Sequence, residues 1–357
     1  MIKKECFTAE WIEQVSSELH YNDKNLIEKV IRALSLLEML VKAGCPLVFK
    51  GGTALMLILG KSAHRLSIDI DVICPPGTNI EDYLKSFADF GFINLELVER
   101  KQRDDADIPK SHSKFFYQIA YRNDTDAQSY ILLDVLYEDI HYFRTQQIAI
   151  DCPFIRLEGK PLMVTVPSAE DILGDKLTAF APNTTGIPYY KNGRSCSMEI
   201  AKQLYDVGRL FENVSDLQIT KEAFRKIAVV ELSYRSFGTD IGQIFNDIRQ
   251  TALCISTRGK AGEGDFDLIQ DGIIRVKSFM YKQRYLIDHA IIDAARAAYL
   301  ATLIEKGINE IESYSNTPAD IKDMVIRPSL PNKLNKLRSN LPEAYYYWAK
   351  TSELLEA

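Results

Sequence analysis

The sequence predicts an α+β fold: a small mixed sheet with flanking helices over residues 1–165, followed by a helical domain over 166–357. Three observations carry this prediction. Between residues 23 and 150, apolar runs of strand length alternate with segments of helical period. From Met198 onward the apolar period is helical to the end of the chain. One stretch, Phe49-Lys50-Gly51-Gly52-Thr53-Ala54-Leu55 followed by Arg65-Leu66-Ser67-Ile68-Asp69-Ile70-Asp71-Val72, reads as strand, glycine turn, apolar helix, then a strand with two alternate carboxylates.

The elements follow in order. Residues 8–20 and 24–43 are predicted helices; in the second, Leu26, Ile27, Val30, Ile31, Leu34, Leu37 and Val41 recur at helical spacing. Residues 46–49 form a short buried strand, Gly51-Gly52 a turn, 53–59 a helix and 66–73 a strand that ends at Pro75-Pro76-Gly77. A helix is expected over 81–90, closed by Gly91, then strands over 93–99, 114–121 and 130–137, with a charged loop over 100–113. Pro167-Ser168-Ala169-Glu170-Asp171 opens a helix that Ser168 can cap, with Asp171 as the reciprocal acid. Residues 181–197, rich in Gly, Pro, Asn and Ser, read as a long loop. Helices are expected over 198–212, 220–234, 239–256, 266–279, 284–306, 318–325 and 342–355.

Composition excludes some classes. A hydrophobic fraction of 46% and a charged fraction of 26% are those of an ordinary folded protein. The formal net charge of −6 gives no global nucleic-acid signature. The first residues lack the apolar run of a signal peptide, and no later stretch has the length and apolarity to span a bilayer, so a cytoplasmic protein without membrane contact is expected. The six cysteines are scattered without a C-x-x-C pair and the five histidines show no ligand spacing; free buried thiols in a reducing compartment are expected.

Asp69 and Asp71 carry the chemistry. On a strand they share one face, while Ile68, Ile70 and Val72 take the other. Their hard oxygens suit Mg²⁺ or Mn²⁺. Asp134 interrupts the otherwise apolar run Tyr130–Leu136, where an acid is expensive to bury without a partner, and is the candidate third metal ligand. Gly51, Gly52 and Thr53 open a helix whose N–H groups can approach phosphates. Lys50 and Arg65 flank this pocket and can offset nucleotide charge. Lys176 falls inside the apolar arc of Ile172, Leu173, Leu177 and Phe180, where it could reach a triphosphate. Taken singly, each signal has a plainer reading: D-x-D a solvated strand edge, Asp134 a salt bridge, the glycines a turn, Lys50 and Arg65 surface cations, Lys176 a snorkelling side chain. Asp206 sits at the margin of its helix stripe, where periodicity assigns it to the surface.

These motifs resemble the AbiEii/AbiGii toxin family of bacterial nucleotidyltransferases, within the polymerase-β-like nucleotidyltransferase superfamily. The likeness rests on Lys50-Gly51-Gly52-Thr53-Ala54-Leu55, Arg65-Leu66-Ser67-Ile68-Asp69-Ile70-Asp71, Asp175-Lys176-Leu177-Thr178-Ala179-Phe180 and Lys202-Gln203-Leu204-Tyr205-Asp206-Val207, in family order over residues 45–212. The resemblance implies a nucleotidyltransferase-like α/β core with an appended helical domain. By position, Gly52, Thr53 and Ser67 would hold phosphates, Asp69 and Asp71 metal, Lys176 the nucleotide's phosphates, and Asp206 would be an acid or base near the acceptor. Many relatives have Lys-Asp where this chain has Lys202-Gln203, which weakens any role tied to that first acid, while Asp206 keeps its place.

The expected function is transfer of a nucleoside monophosphate from an NTP to an acceptor, with tRNA implied as acceptor, by the toxin of a bacterial toxin–antitoxin pair of phage-defence type. A separate antitoxin is the implied partner. Arg275, Lys277, Lys282 and Arg284 form a basic cluster that could contact a phosphate backbone, although taken alone a solvated helix face is the plainer reading. Two alternatives remain at this point: a small-molecule nucleotidyltransferase of the antibiotic-modifying type, and an inactive nucleotide-binding module. Residues 181–197 could serve as a lid or a partner-docking loop.

Overall fold

The most regular apolar period in the N-terminal half, Leu26 to Leu40, forms one buried helix around which the first unit is built. The structure is a computed structural model and describes residues 1–98, 109–122, 127–214, 216–234 and 240–357. It is a mixed α+β protein that divides into two units, Met1–Ser168 with Ser278–Arg284, and Ala169–Lys277 with Tyr285–Ala357.

In the first unit, α1 (Ala9–Glu18) starts at Thr8, whose hydroxyl accepts from Trp11 N, and α2 (Lys24–Lys42) starts at Asp23, which accepts from Leu26 N. Then come β1 (Val48–Lys50), α3 (Gly51–Leu59), β2 (Ile70–Cys74), β3 (Asn94–Val98), β4 (Lys110–Gln118), β5 (Gln128–Tyr137), β6 (Thr145–Ala149) and β7 (Met163–Pro167). The main sheet has the order β1-β2-β5-β4-β3, with β2 parallel to β5 and every other pairing antiparallel. Its inner face carries Phe49, Ile70, Val72, Phe115, Tyr117, Ile131, Leu133 and Val135 in one core with the apolar side of α2. Strands β6 and β7 form a separate antiparallel pair that the sequence reading did not foresee.

Several boundaries differ from expectation. The helix after β1 begins on Gly51 itself, so the turn lies at the Lys50–Gly51 junction. Strand β2 starts at Ile70, not 66. Residues 64–66 are drawn off by the returning segment 278–284: Leu66 N donates to Phe279 O, Tyr281 N to His64 O, and Arg65 bridges Met280. Asp69 therefore lies just ahead of the strand rather than in it. The expected helix 81–90 is two 3-10 turns, Ile80–Tyr83 and Phe87–Phe90, with Gly91 left-handed as the stop. Strand β4 begins four residues earlier than expected, and residues 110–113 belong to it rather than to a loop; Glu99 and residues 100–108 lie outside the described residues. The cysteines are free, but only three are buried, and two that are distant in sequence meet: Cys45 and Cys74 sulfurs are 3.9 Å apart.

The second unit is helical apart from the two-residue strands β8 (Tyr190–Lys191) and β9 (Arg194–Ser195), a hairpin within the expected loop. Its helices are α4 (Ala169–Ala179), α5 (Ser197–Phe211), α6 (Leu217–Ser233), α7 (Ile241–Ser256), α8 (Phe266–Val276), α9 (Ile287–Lys306), α10 (Leu337–Asn340) and α11 (Pro342–Glu356). Alanines 290, 294, 295, 297, 298 and 301 keep α9 slim enough to pack α5, α7 and α11 around it. The expected helix 318–325 is only a 3-10 turn, Pro318–Ile321. Asp320 holds Ser315 and Thr317 at its start, and Arg338 Nη2 takes the carbonyls of Ile321 and Lys322 at its end. The first half of the 181–197 segment is anchored, because buried Asp247 accepts from Asn183 N, Asn183 Nδ2 and the Thr184 hydroxyl. No helix among the described residues is long and apolar enough to cross a membrane.

The buried face of α2 also holds charge. Glu28, 1% exposed, accepts Ala120 N at 3.0 Å and pairs with Arg32 at 3.4 Å, while Arg32 Nη1 donates to Gly91 O. Removing one partner leaves a buried charge uncompensated. Arg32→Ala should therefore lower unfolding stability by about 3–5 kcal/mol, measured as a shifted urea midpoint at unchanged slope.

Candidate active site

The site of the first unit is assembled by the entry into α3. Lys50 is extended and Gly51 takes φ +79°, a left-handed turn open to glycine, so that the helix starts abruptly behind the strand. A Cβ on Gly51 would stand 2.2 Å from Asp71 Oδ2, so the glycine backbone lies directly on that carboxylate. At Gly52 a Cβ would stand 2.6 Å from Ser67 Oγ and 3.0 Å from Arg65 Nη2. The two glycines thus let the backbone of the first turn approach the acid on one side and a hydroxyl and a guanidinium on the other. Thr53 is fully buried and its hydroxyl donates to Asp69 O at 2.7 Å, tying α3 to the residue before β2. Arg65 is 6% exposed and donates from Nη1 to Leu66 O. The first N–H groups of α3 have no intrahelical acceptor, and among the described residues no side chain at Lys50 caps them. With the helix dipole and Arg65 this end of α3 favours an anion.

The sheet supplies the acids. Residues in register across a sheet share a face. Lys50 pairs with Asp71, Asp71 with Asp134, and Asp134 with His112, so β1, β2, β5 and β4 present a row of Lys, Asp, Asp and His on the face opposite α2. All four are half-buried. His112 Nδ1 lies 2.5 Å from Asp134 Oδ1. The predicted residues Gly51, Gly52, Thr53, Arg65, Ser67, Asp69, Asp71 and Asp134 therefore gather about one helix end and the adjoining strands. His112 was missed, because the predicted strand started at Lys114; the alternation of buried Ser113, Phe115 and Tyr117 was the available signal.

Among the described residues no three His, Cys, Asp or Glu side chains stand close enough to cage one ion. The donor set nonetheless fits a hard divalent cation. Mg²⁺ is bound through one or two carboxylates, with phosphate oxygens and water completing the shell, rather than by an all-protein cage. Asp71 with Asp69 two residues before it, and Asp134 beside it, offer that partial shell.

The second unit holds Lys176 and Asp206. Lys176 Nζ on α4 is 3.1 Å from Asp206 Oδ2 on α5, with side-chain exposures of 9% and 1%. Periodicity had assigned Asp206 to the surface. It fails here because α5 is covered by α4, α8 and α9 together, so acids off the main stripe are also enclosed. Near it lies a network that no motif announced. Asp293, fully buried, is bound by Arg209 at 3.2 Å and Arg296 at 3.4 Å, and Arg296 also reaches Glu212 and Glu343. Burial pushes the Asp293 carboxyl up, against the pull of the two guanidiniums. The basic cluster is not one helix face. Arg275 is in α8 and pairs with Asp271, Lys277 follows that helix, and Lys282 and Arg284 belong to the segment that returns to the first unit.

Gly51 can be tested against a matched control. Gly44 also has a left-handed φ, +74°, but nothing lies within 4 Å of its Cβ position. Gly44→Ala should destabilise by about 1–2 kcal/mol from backbone strain alone. Gly51→Ala should lose roughly 1–3 kcal/mol more, since Asp71 must also move; chemical denaturation of both variants measures the difference.

A family model described as "Nucleotidyl transferase AbiEii toxin, Type IV TA system" matches residues 34–315, which contain Gly51 to Asp134 of the first unit's site and Lys176 and Asp206 of the second unit. Among solved structures, JHP933 from Helicobacter pylori is 15% identical with a TM-score of 0.40, the match covering 86% of this chain and 95% of that one. MenT4, a nucleotidyltransferase toxin from Mycobacterium tuberculosis H37Rv, is 14% identical with a TM-score of 0.39, covering 92% and 99%. A search of curated proteins finds no match. The family match spans well over half of the chain, and on that ground the chain belongs to the AbiEii family of nucleotidyltransferase toxins of type IV toxin–antitoxin systems.

Proposed function

We propose that this toxin transfers a nucleoside monophosphate from an NTP to an RNA acceptor, tRNA in particular, in the cytoplasm and with Mg²⁺. The observation that carries the reading is the placement of Asp71 between the N-terminal turn of α3 and Asp134: anion-binding N–H groups and metal-binding oxygens adjoin within one small unit. Membership of a toxin–antitoxin family implies an antitoxin as partner. The tRNA acceptor follows from the motif resemblance, and exposed Lys282 and Arg284 are available to a phosphate backbone.

In this reading the N–H groups of Gly52 and Thr53, the Ser67 hydroxyl and the Arg65 guanidinium orient the triphosphate. Asp69 and Asp71 would hold Mg²⁺ together with phosphate oxygens and water, with Asp134 beside Asp71 as a third carboxylate; the ion when bound would supply charge neutralisation for the phosphates. The acceptor hydroxyl attacks the α-phosphorus, the bond to the β-phosphate oxygen breaks, and pyrophosphate leaves. Little covalent help is required, so the residues act by position and charge. By the motif resemblance, Lys176 would serve the phosphates and Asp206 would take the proton of the acceptor hydroxyl; within the second unit the two side chains form one ion pair.

Incubation with α-labelled NTPs, Mg²⁺ and total RNA tests this. Label is expected in the tRNA fraction, and Asp69→Asn, Asp71→Asn and Lys176→Met should each lower incorporation by at least about 100-fold, the scale of losing a positioned charge at the reacting phosphate. Wild-type protein that labels no RNA would overturn the reading; label in a small-molecule fraction instead would favour the antibiotic-modifying type of acceptor.

A further inference from the structure

We propose that His112 is a positioning residue for Asp134, a hydrogen-bond donor that fixes the third carboxylate so that one oxygen is left for the metal. The inference deepens the reading above and rests on it for the role of Asp134. Three observations support it. The pair is set by sheet register, since β4 runs antiparallel to β5 with His112 directly opposite Asp134. The contact is short, 2.5 Å between Nδ1 and Oδ1. The burial is unequal, with the imidazole 12% exposed and the carboxylate 36%, so the histidine stands behind the acid and the acid faces outward.

The chemistry follows. A carboxylate offers only acceptor oxygens, so the bond requires the proton on Nδ1. Asp134 has a second acid, Asp71, in register on its other side, and the two carboxylates repel. A donor on the β4 side stops the Asp134 group from turning, with Oδ1 engaged and Oδ2 not engaged by His112. Outer partners of metal-binding carboxylates act in this way, orienting the ligand without touching the ion. A plain cross-strand pair would stabilise the sheet equally well but would leave metal affinity untouched.

The test separates the two. Binding of Mn²⁺ is followed by electron paramagnetic resonance of the free ion, with a mixture of the four α,β-methylene NTPs present. His112→Leu keeps bulk without a donor; His112→Asn keeps an N–H near the Nδ1 position. His112→Leu should weaken Mn²⁺ binding by about 10-fold or more and lower kcat with little change in KM for NTP, while His112→Asn stays near wild type. In an Asp134→Ala background, His112→Leu should add nothing further. Circular dichroism checks folding, and His112→Phe replaces the leucine variant if that one does not fold. Wild-type Mn²⁺ affinity in the donorless variant, an asparagine variant as weak as the leucine one, or an undiminished effect without Asp134 would each overturn the proposal. If wild-type protein takes up no Mn²⁺ with the analogues, the metal reading itself falls, and this inference with it.

Discussion

Two carboxylates stand side by side on parallel strands, and much of the first unit is arranged around that constraint. The pairing of β2 with β5 sets Asp71 against Asp134. Like charges at neighbouring sheet positions repel, and the half-buried surroundings weaken screening by water. The pair persists because the opposite face of the same strands carries Ile70, Val72, Leu133 and Val135 into the core with α2. A one-residue slip of either strand would drive these side chains out and bring an acid in. Hydrophobic register thus holds the acids where electrostatics alone would not, and in the proposed function a cation relieves the conflict.

The neighbouring elements each answer to this pair. Strand β1 brings Lys50 beside Asp71 on one side, and β4 brings His112 beside Asp134 on the other. The left-handed turn at Gly51 puts the start of α3 on the Asp71 carboxylate, so the positive end of a helix adjoins a negative row. The segment 278–284 pairs with residues 64–66 and thereby fixes the approach to Asp69. In the second unit, α5 is enclosed on several sides, which is why Asp206 is buried there, and Asp293 on the neighbouring α9 is fully buried as well.

How much was legible depended on the distance over which each signal acts. The order strand, glycine pair, helix and acids could be read directly, because turn chemistry and apolar alternation are local. Asp134 stood out as one acid in an apolar run. It was read as a third carboxylate joining Asp69 and Asp71, but its register against Asp71 could not be read, since β2 and β5 are separated by the whole β3–β4 excursion and register is a tertiary property. His112 was hidden for the same reason, and its strand also begins among polar residues, Lys110, Ser111 and Ser113, that give a weak pattern. The strand expected from residue 66 shortened to Ile70 because chain from more than two hundred residues away pairs with 64–66. Asp206 defeated periodicity because a helix covered on several sides has no solvent face to mark.

If Asp69 and Asp71 bind a divalent cation jointly with a triphosphate, the two ligands are linked, and that linkage is the most direct test. Calorimetric titration with a non-hydrolysable NTP, with and without Mg²⁺, gives the coupling for wild-type protein and for Asp71→Asn. The account predicts that Mg²⁺ tightens nucleotide binding in the wild type and that this gain disappears in Asp71→Asn. Nucleotide affinity indifferent to Mg²⁺, or the same gain in both proteins, would contradict it.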